Sequence, residues 1–305
     1  MLYIKLENEI REEKTKLSFF SNKISKLKYK FTKLREEKIE NGKILFLPNL
    51  ENYTYEKLFK YFKINGVTKV CISEELMKDK NFVEFLSYNN VEVLDGKWLF
   101  KHMSFECVQY VCNSKKEKMN YQEVSILSND IDRILKQNIF DLAKEVRILN
   151  LITQNENNFK KIEKELYNEH GIILNINNNY KKSLVRSDII LNFDFEDDEI
   201  NKYNITSNAC IINFSNETNI KEKSFKGINA NFFEVTIPMK YIKECVYLKG
   251  FNTTILYESL IYKKTSPENI KKEIEMDNIK INFLIGKNGM IRKNEYLKLS
   301  KKIVN

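Results

Sequence analysis

Apolar positions near the start of the chain keep a helical rhythm, and after Lys43 they break into short runs. Leu17, Phe20, Ile24, Leu27, Phe31 and Leu34 are spaced 3, 4, 3, 4, 3, and the seam extends weakly back through Leu6 and Ile10. No Pro or Gly interrupts it before Gly42. The pattern predicts a long amphipathic helix within residues 1–42, about 45 Å long if about thirty residues are helical. Such a helix can be a coiled-coil arm that makes a homodimer or binds a partner protein, or it can pack across its own domain. Phenylalanine on the seam favours packing, because tight two-stranded coils select Leu and β-branched residues there.

From Lys43 the runs alternate between strand-like and helical. "KILFLP" ends at Pro48, and "YEKLFKYFKIN" follows with helical spacing at Leu58, Phe59 and Phe62 before Gly66. "KVCIS", a helix through "NFVEFLSYNN", "VEVL" and a helix "WLFKHMSFECVQYVC" complete a small α/β domain over 43–115, with fully apolar strands of the parallel-sheet kind. The polar stretch 113–122 reads as a boundary. A second α/β domain over 121–237 restarts with "VSIL", a helix 131–146, "ILNLIT", a helix 156–169 capped by Gly171, "IILNI", "DIILNF" and "ACIINF". Residues 238–305 read as C-terminal helices over "YIKECVYLKG" and "TTILYESLIYKK", returning towards the first domain, and a hairpin turning at Asn288-Gly289. The fold class expected is therefore α/β, with a small parallel domain, a doubly wound domain and a helical return.

Composition narrows the function classes. Hydrophobic residues make up 42% and charged ones 30%, which suits a globular chain. No apolar run is long enough to cross a bilayer, and "MLYIKLENEIREEK" lacks the apolar core of a secretory signal. The expectation is a cytoplasmic protein with no membrane partner. The net charge of +9 would suit nucleic acid, but only six of the 51 basic residues are arginine, the residue that makes bidentate base and phosphate contacts. A diffuse lysine surface is the reading favoured over a nucleic-acid partner. Five cysteines, none spaced C-x-x-C, and two histidines give no metal-ligand pattern, so neither a metal nor a disulfide is expected.

The runs "VSIL" and "IDRIL", with "LNLITQNENNFKKIEKEL" and "SLVRSDIILNFDF", resemble the Rossmann domain of NAD(P)-dependent dehydrogenases. The two-domain plan is similar to the shikimate dehydrogenase and glutamyl-tRNA reductase group. That resemblance implies a dinucleotide over the first strand–turn–helix. The turn departs from it. Glycine lets that backbone turn tightly against a pyrophosphate, whereas here Ser128, Asn129 and Asp130 form the turn and Asp132 follows. Asn129 can adopt a left-handed conformation, and Asp130 is placed to cap helix 131–146. A phosphate about 4 Å from such a carboxylate is repelled by roughly 4 kcal/mol at an effective dielectric of about 20. No cofactor is therefore expected. If a ligand binds, Thr153, Gln154 and Asn155 at the end of the second strand are placed to contact it.

Two other stretches carry candidate residues. Asp95 and Lys97 lie at the end of a predicted strand, the edge where open α/β sheets bind ligands, but a turn shaped by Gly96 explains them as well. "GKNG" near the C-terminus has the G-x-x-G spacing of a nucleic-acid clamp, and the hairpin explains it better. The function expected is a non-catalytic Rossmann-like protein with a degenerate cofactor turn and a binding or regulatory role. The alternatives are an NAD(P)-dependent oxidoreductase with an atypical loop, and a lysine-rich nucleic-acid-associated protein.

Overall fold

The computed structural model describes residues 1–7, 34–215, 217–221, 224–242, 248–264 and 269–300. The chain begins with β1 (Leu2–Leu6), β2 (Arg35–Ile39), β3 (Gly42–Leu47), α1 (Asn52–Asn65), β4 (Lys69–Ile72), α2 (Glu74–Lys78), α3 (Lys80–Tyr88) and β5 (Glu92–Val93). It continues with α4 (Lys97–His102), α5 (Ser104–Lys115), β6 (Glu123–Leu127), α6 (Arg133–Glu145), β7 (Ile148–Ile152), α7 (Glu156–His170), β8 (Asn175–Asn177) and β9 (Ile189–Asn192). Then come α8 (Asp197–Ile200), β10 (Cys210–Asn213), β11 (Ile228–Val235), α9 (Thr253–Lys264), α10 (Ile270–Met276), β12 (Ile281–Gly286), β13 (Gly289–Met290) and α11 (Lys293–Leu299). They divide into two compact units. The first joins Met1–Gly96 to Ile237–Asn278, and the second joins Lys97–Thr236 to the chain from Ile279 onward.

The first unit holds a sheet in the order β2-β3-β1-β4-β5, parallel except for β2. Both of its faces are buried, which is why β3 and β4 read as apolar runs after their first residues. Leu2, Ile4, Leu45, Leu47, Val70 and Ile72 pack with Leu58 and Phe62 of α1 and Phe82 and Leu86 of α3. Tyr3, Ile44, Phe46 and Cys71, from the alternate positions, pack with Phe251, just before α9, and with Ile255 and Leu256 in its first turn. Helix α1 stops at Gly66, whose φ of 59° and N–H bond to the Phe62 carbonyl make a left-handed cap. Strand β2, "REEKI", is an almost wholly exposed, charged edge, a sequence suited to discouraging further strand pairing.

The second unit holds a sheet in the order β8-β7-β6-β9-β10-β11-β12-β13. Counted within this unit, its six parallel strands run third, second, first, fourth, fifth, sixth, the Rossmann order, and β12 and β13 add an antiparallel edge. Helix α6 buries Leu135, Ile139, Leu142 and Ala143, and α7 buries Phe159, Ile162 and Leu166 before its left-handed cap at Gly171. An aromatic group closes around Phe100 of α4, whose ring centroid lies 4.6 Å from Phe214 and 4.7 Å from Phe233.

Several expectations change. The helix within residues 1–42 is corrected at both ends, because Leu2–Leu6 and Arg35–Ile39 are strands. The residues between them that carry most of the seam, including Leu17, Phe20, Ile24, Leu27 and Phe31, lie outside the described residues. The units divide at Gly96–Lys97 rather than in the polar stretch 113–122, since Phe100, Cys107 and Val108 are buried in helices that belong to the second unit. "INANFFEV" is a full strand of the Rossmann sheet. Of the helix expected over "YIKECVYLKG", Tyr241 is the last residue of a 3-10 turn, Met239–Tyr241, and residues 243–247 lie outside the described residues. The C-terminal hairpin forms with Gly286 opposite Gly289, and α11 follows it. Among the described residues no helix is long and apolar enough to cross a membrane.

Candidate functional site

In open α/β sheets ligands bind beyond the C-terminal ends of the strands, where the strand order reverses. In the second unit that point lies between β6 and β9, which pair in parallel from Val124↔Ile189 to Leu127↔Asn192. The turn Ser128–Asp130 leaves β6 there, and Asp194 leaves β9 beside it. The Asp194 carboxylate fills the turn. It accepts the Asn129 N–H at 2.9 and 3.0 Å through its two oxygens, and the Asp130 N–H at 3.2 Å. Ser128 Oγ lies 2.7 Å from Asp194 Oδ2 and 2.7 Å from the Asp130 carbonyl oxygen, so its single proton serves one of them at a time.

Asn129 ties the turn to its surroundings with every polar group it has. Its N–H donates to Asp194, and its carbonyl accepts from Asn155 Nδ2 at 3.1 Å. Its side-chain oxygen accepts the Gln154 N–H at 2.9 Å, and its side-chain amide donates to Glu199 of α8 at 3.1 Å. It does this without a left-handed backbone, since among the described residues the non-glycine positions with positive φ are Asn90, Lys116 and Asn278. This is how the turn dispenses with glycine. The helix cap is Asp132, which accepts the Leu135 N–H at 2.7 Å; Asp130, expected in that role, is exposed and contributes its backbone. The residues at the end of β7 are engaged too. Thr153 is buried and its hydroxyl accepts the Asn155 N–H at 3.0 Å, while Gln154 Nε2 donates to the Tyr203 hydroxyl at 3.1 Å. Burial, then Tyr180 and Glu199, pushes that phenol up to about 12.

Past Asp194 the C-terminal edge is closed by a chain of side-chain amides, buried at Asn192 and Asn213 and half-buried at Asn229 and Asn231. Asn192 ends β9 and Asn213 ends β10, directly opposite one another. Asn192 Nδ2 donates to Asn213 Oδ1 at 3.1 Å, which also accepts from the Thr218 hydroxyl at 2.8 Å. Asn213 Nδ2 donates to Asn229 Oδ1 at 2.7 Å and Asn231 Oδ1 at 2.8 Å, both on β11. Asn192 also holds the loop that carries Asp194, through the Phe195 N–H and carbonyl, each at 2.9 Å. Of this set the sequence reading found the turn and missed Asp194, Glu199 and the amides. The signal available was Asn at the last position of β9 and of β10, a costly residue to bury without partners.

The other places named from sequence are less developed. Asp95 is exposed at the end of the first unit and Lys97 opens α4 in the second, so the pair is assigned to no single site. The Gly96 between them has φ 82°, and its N–H donates to the buried Glu258 carboxylate at 2.7 Å. The first unit also has an open pocket of about 810 Å³ lined by Lys38, Lys43, Lys69, Tyr61 and Tyr262. Two of those cations are paired there, Lys43 with Glu36 at 3.0 Å and Lys69 with Glu92 at 2.7 Å.

His102 of α4 sits against Trp98, with ring centroids 4.7 Å apart. Burial lowers its pKa from 6.5 to about 4, against a smaller opposing pull from Asp132. The folded state therefore favours neutral imidazole. Its contribution is complete above pH 6.5 and is lost as pH falls through 6.5 towards about 4. In urea titrations over that window, wild-type stability should fall more than that of His102→Gln, by up to on the order of 3 kcal/mol. Parallel acid limbs would show that His102 is not held neutral.

Fold and site together define a two-unit α/β protein with a Rossmann-type sheet and an internally bonded turn at its switch point. No family model matches the chain. It is 23% identical over 310 residues to the DNA-directed RNA polymerase subunit beta'' of Oedogonium cardiacum, covering 91% of this chain and 12% of that protein's length. Among solved structures, L-tryptophan dehydrogenase from Nostoc punctiforme is similar at 12% identity over 97% of this chain and 80% of that one, with a TM-score of 0.34. D-mandelate dehydrogenase of Rhodotorula graminis follows at 6% identity over 73% and 76%, with a TM-score of 0.35. Ornithine carbamoyltransferase from Pyrococcus furiosus stands at 12% identity over 70% and 71%, with a TM-score of 0.26. The Rossmann assignment rests on the strand order.

In a Rossmann sheet a dinucleotide sets its pyrophosphate on the first turn. The backbone donors that would meet the phosphates face the Asp194 carboxylate, and the loop at the ribose position is bonded to Asn129.

Proposed function

We propose that the chain is a non-catalytic Rossmann-type protein with a binding or regulatory role. The observation that carries this reading is Asn129, whose four polar groups bind the β6, β7 and β9 loops to one another where a dinucleotide would lie. A coenzyme in the usual pose must break several of these bonds and bring its phosphates against Asp194, Glu199 and Asp130. The heptad positions from Leu17 to Phe31 are the candidate arm for a homodimer or a partner protein, on their sequence pattern alone, while Leu34 packs against the core of the first unit.

Isothermal titration of the full chain with NADH and with NADPH tests the reading. The expected result is no saturable heat below about 1 mM, weaker than about 4 kcal/mol of binding. Micromolar binding of either coenzyme would replace the proposal with the atypical oxidoreductase.

A further inference from the structure

The donors in the turn are arranged as an anion receptor, and the anion they hold belongs to the protein. Three consecutive residues point a hydroxyl and two backbone N–H groups at one carboxylate, 64 to 66 residues away in sequence. These donors precede α6 and are separate from its own N-terminus, which Asp132 caps. Successive N–H groups converging on one point form a concavity that selects oxyanions. The Asp194 tether is short, because Phe193 N–H is fixed to the Leu127 carbonyl at 3.0 Å and Asn192 fixes Phe195. A carboxylate held this way competes as a ligand at high effective concentration.

We infer that the Ser128–Asp130 turn is an oxyanion receptor whose resident ligand is the Asp194 carboxylate, and that removing this one group creates a site for a small free oxyanion. The inference deepens the reading of a self-closed coenzyme seat and rests on it. Asp194→Ala removes a carboxylate and leaves two N–H groups and a hydroxyl converging on an open space. It also removes the charge that most directly opposes an incoming anion. Glu199 stays engaged by Asn129, and Asp130 projects into water, where its repulsion is weakest.

The test titrates full-length wild-type, Asp194→Ala and Asp194→Gly proteins with inorganic phosphate and with formate. Ionic strength is held constant with chloride, and binding is read by calorimetry and thermal shift. Both variants should bind at least one of the two probes roughly tenfold or more tightly than wild type, since the tethered competitor is gone. Phosphate binding supports a tetrahedral oxyanion site, and formate binding alone supports a carboxylate-selective one. Folded variants that bind neither probe better than wild type overturn the inference. If neither variant folds, hydrogen exchange of the wild-type Asn129 and Asp130 amides decides. Protection supports the resident carboxylate, and exchange at the rate of a free loop overturns it. Coenzyme binding by wild type would sink the proposed function by a separate measurement, so the two failures are distinguishable.

Discussion

Phe100→Ala is expected to destabilise the second unit by about 3–5 kcal/mol, the cost of emptying a fully buried aromatic site. Phe100 is fully buried, nearly parallel to Phe233 at 4.7 Å and tilted against Phe214 at 4.6 Å, with Phe232 6.1 Å away. These rings come from α4, from just beyond β10 and from β11, so no neighbour on its own element can move in to fill the space. Phe100→Leu should recover about half of the loss, because it restores volume without the ring contacts. Urea denaturation followed by Trp98, the sole tryptophan, reads the change close to the site. A loss under about 1 kcal/mol for the alanine variant would mean that α4 is not part of this core.

The second large effect is Asn213→Ala, for which a loss of about 2–4 kcal/mol is expected, since each buried polar group left without a partner costs about 1–3 kcal/mol. Asn213 is almost fully buried, and its removal strands the buried Thr218 hydroxyl and takes one partner each from Asn192 Nδ2, which keeps the Phe195 carbonyl, and from the half-buried side-chain oxygens of Asn229 and Asn231. A leucine in its place should be no better, because the stranded groups are the larger cost. The double variant with Asn229→Ala should lose less than the sum of the two single losses, by about 1 kcal/mol, because the second change removes a group the first has already orphaned. Strict additivity would show the amide chain to be a set of independent contacts.

How much of this was legible beforehand depended on the range of the interaction. Strands buried on both faces, such as "KILFL", "KVCI" and "ILNLI", could be read because most of their side chains are apolar and buried. The caps at Gly66 and Gly171 could be read because one residue's backbone freedom decides them. Strand β2 could not, since an exposed edge of Arg, Glu and Lys has no hydrophobic alternation to show. Strand β1 was hidden because Leu6 also fits a helical seam, and its pairing with β3 and β4 overrides that local rhythm. At the site, the turn and its acidic character were visible. The identity of the carboxylate that fills it was not, because the bond runs from residue 129 to residue 194 and only the strand order brings them together.

The first unit is assembled from both sides of residues 97–236: Tyr3, Ile44, Phe46 and Cys71 lie under residues 248–256. A ribosome therefore releases half of that hydrophobic layer long before it makes the other half. Through the synthesis of the intervening residues, the nascent N-terminal sheet carries an uncovered apolar face. That interval is when a chaperone has most to protect, and a truncation that ends before α9 makes the exposure permanent.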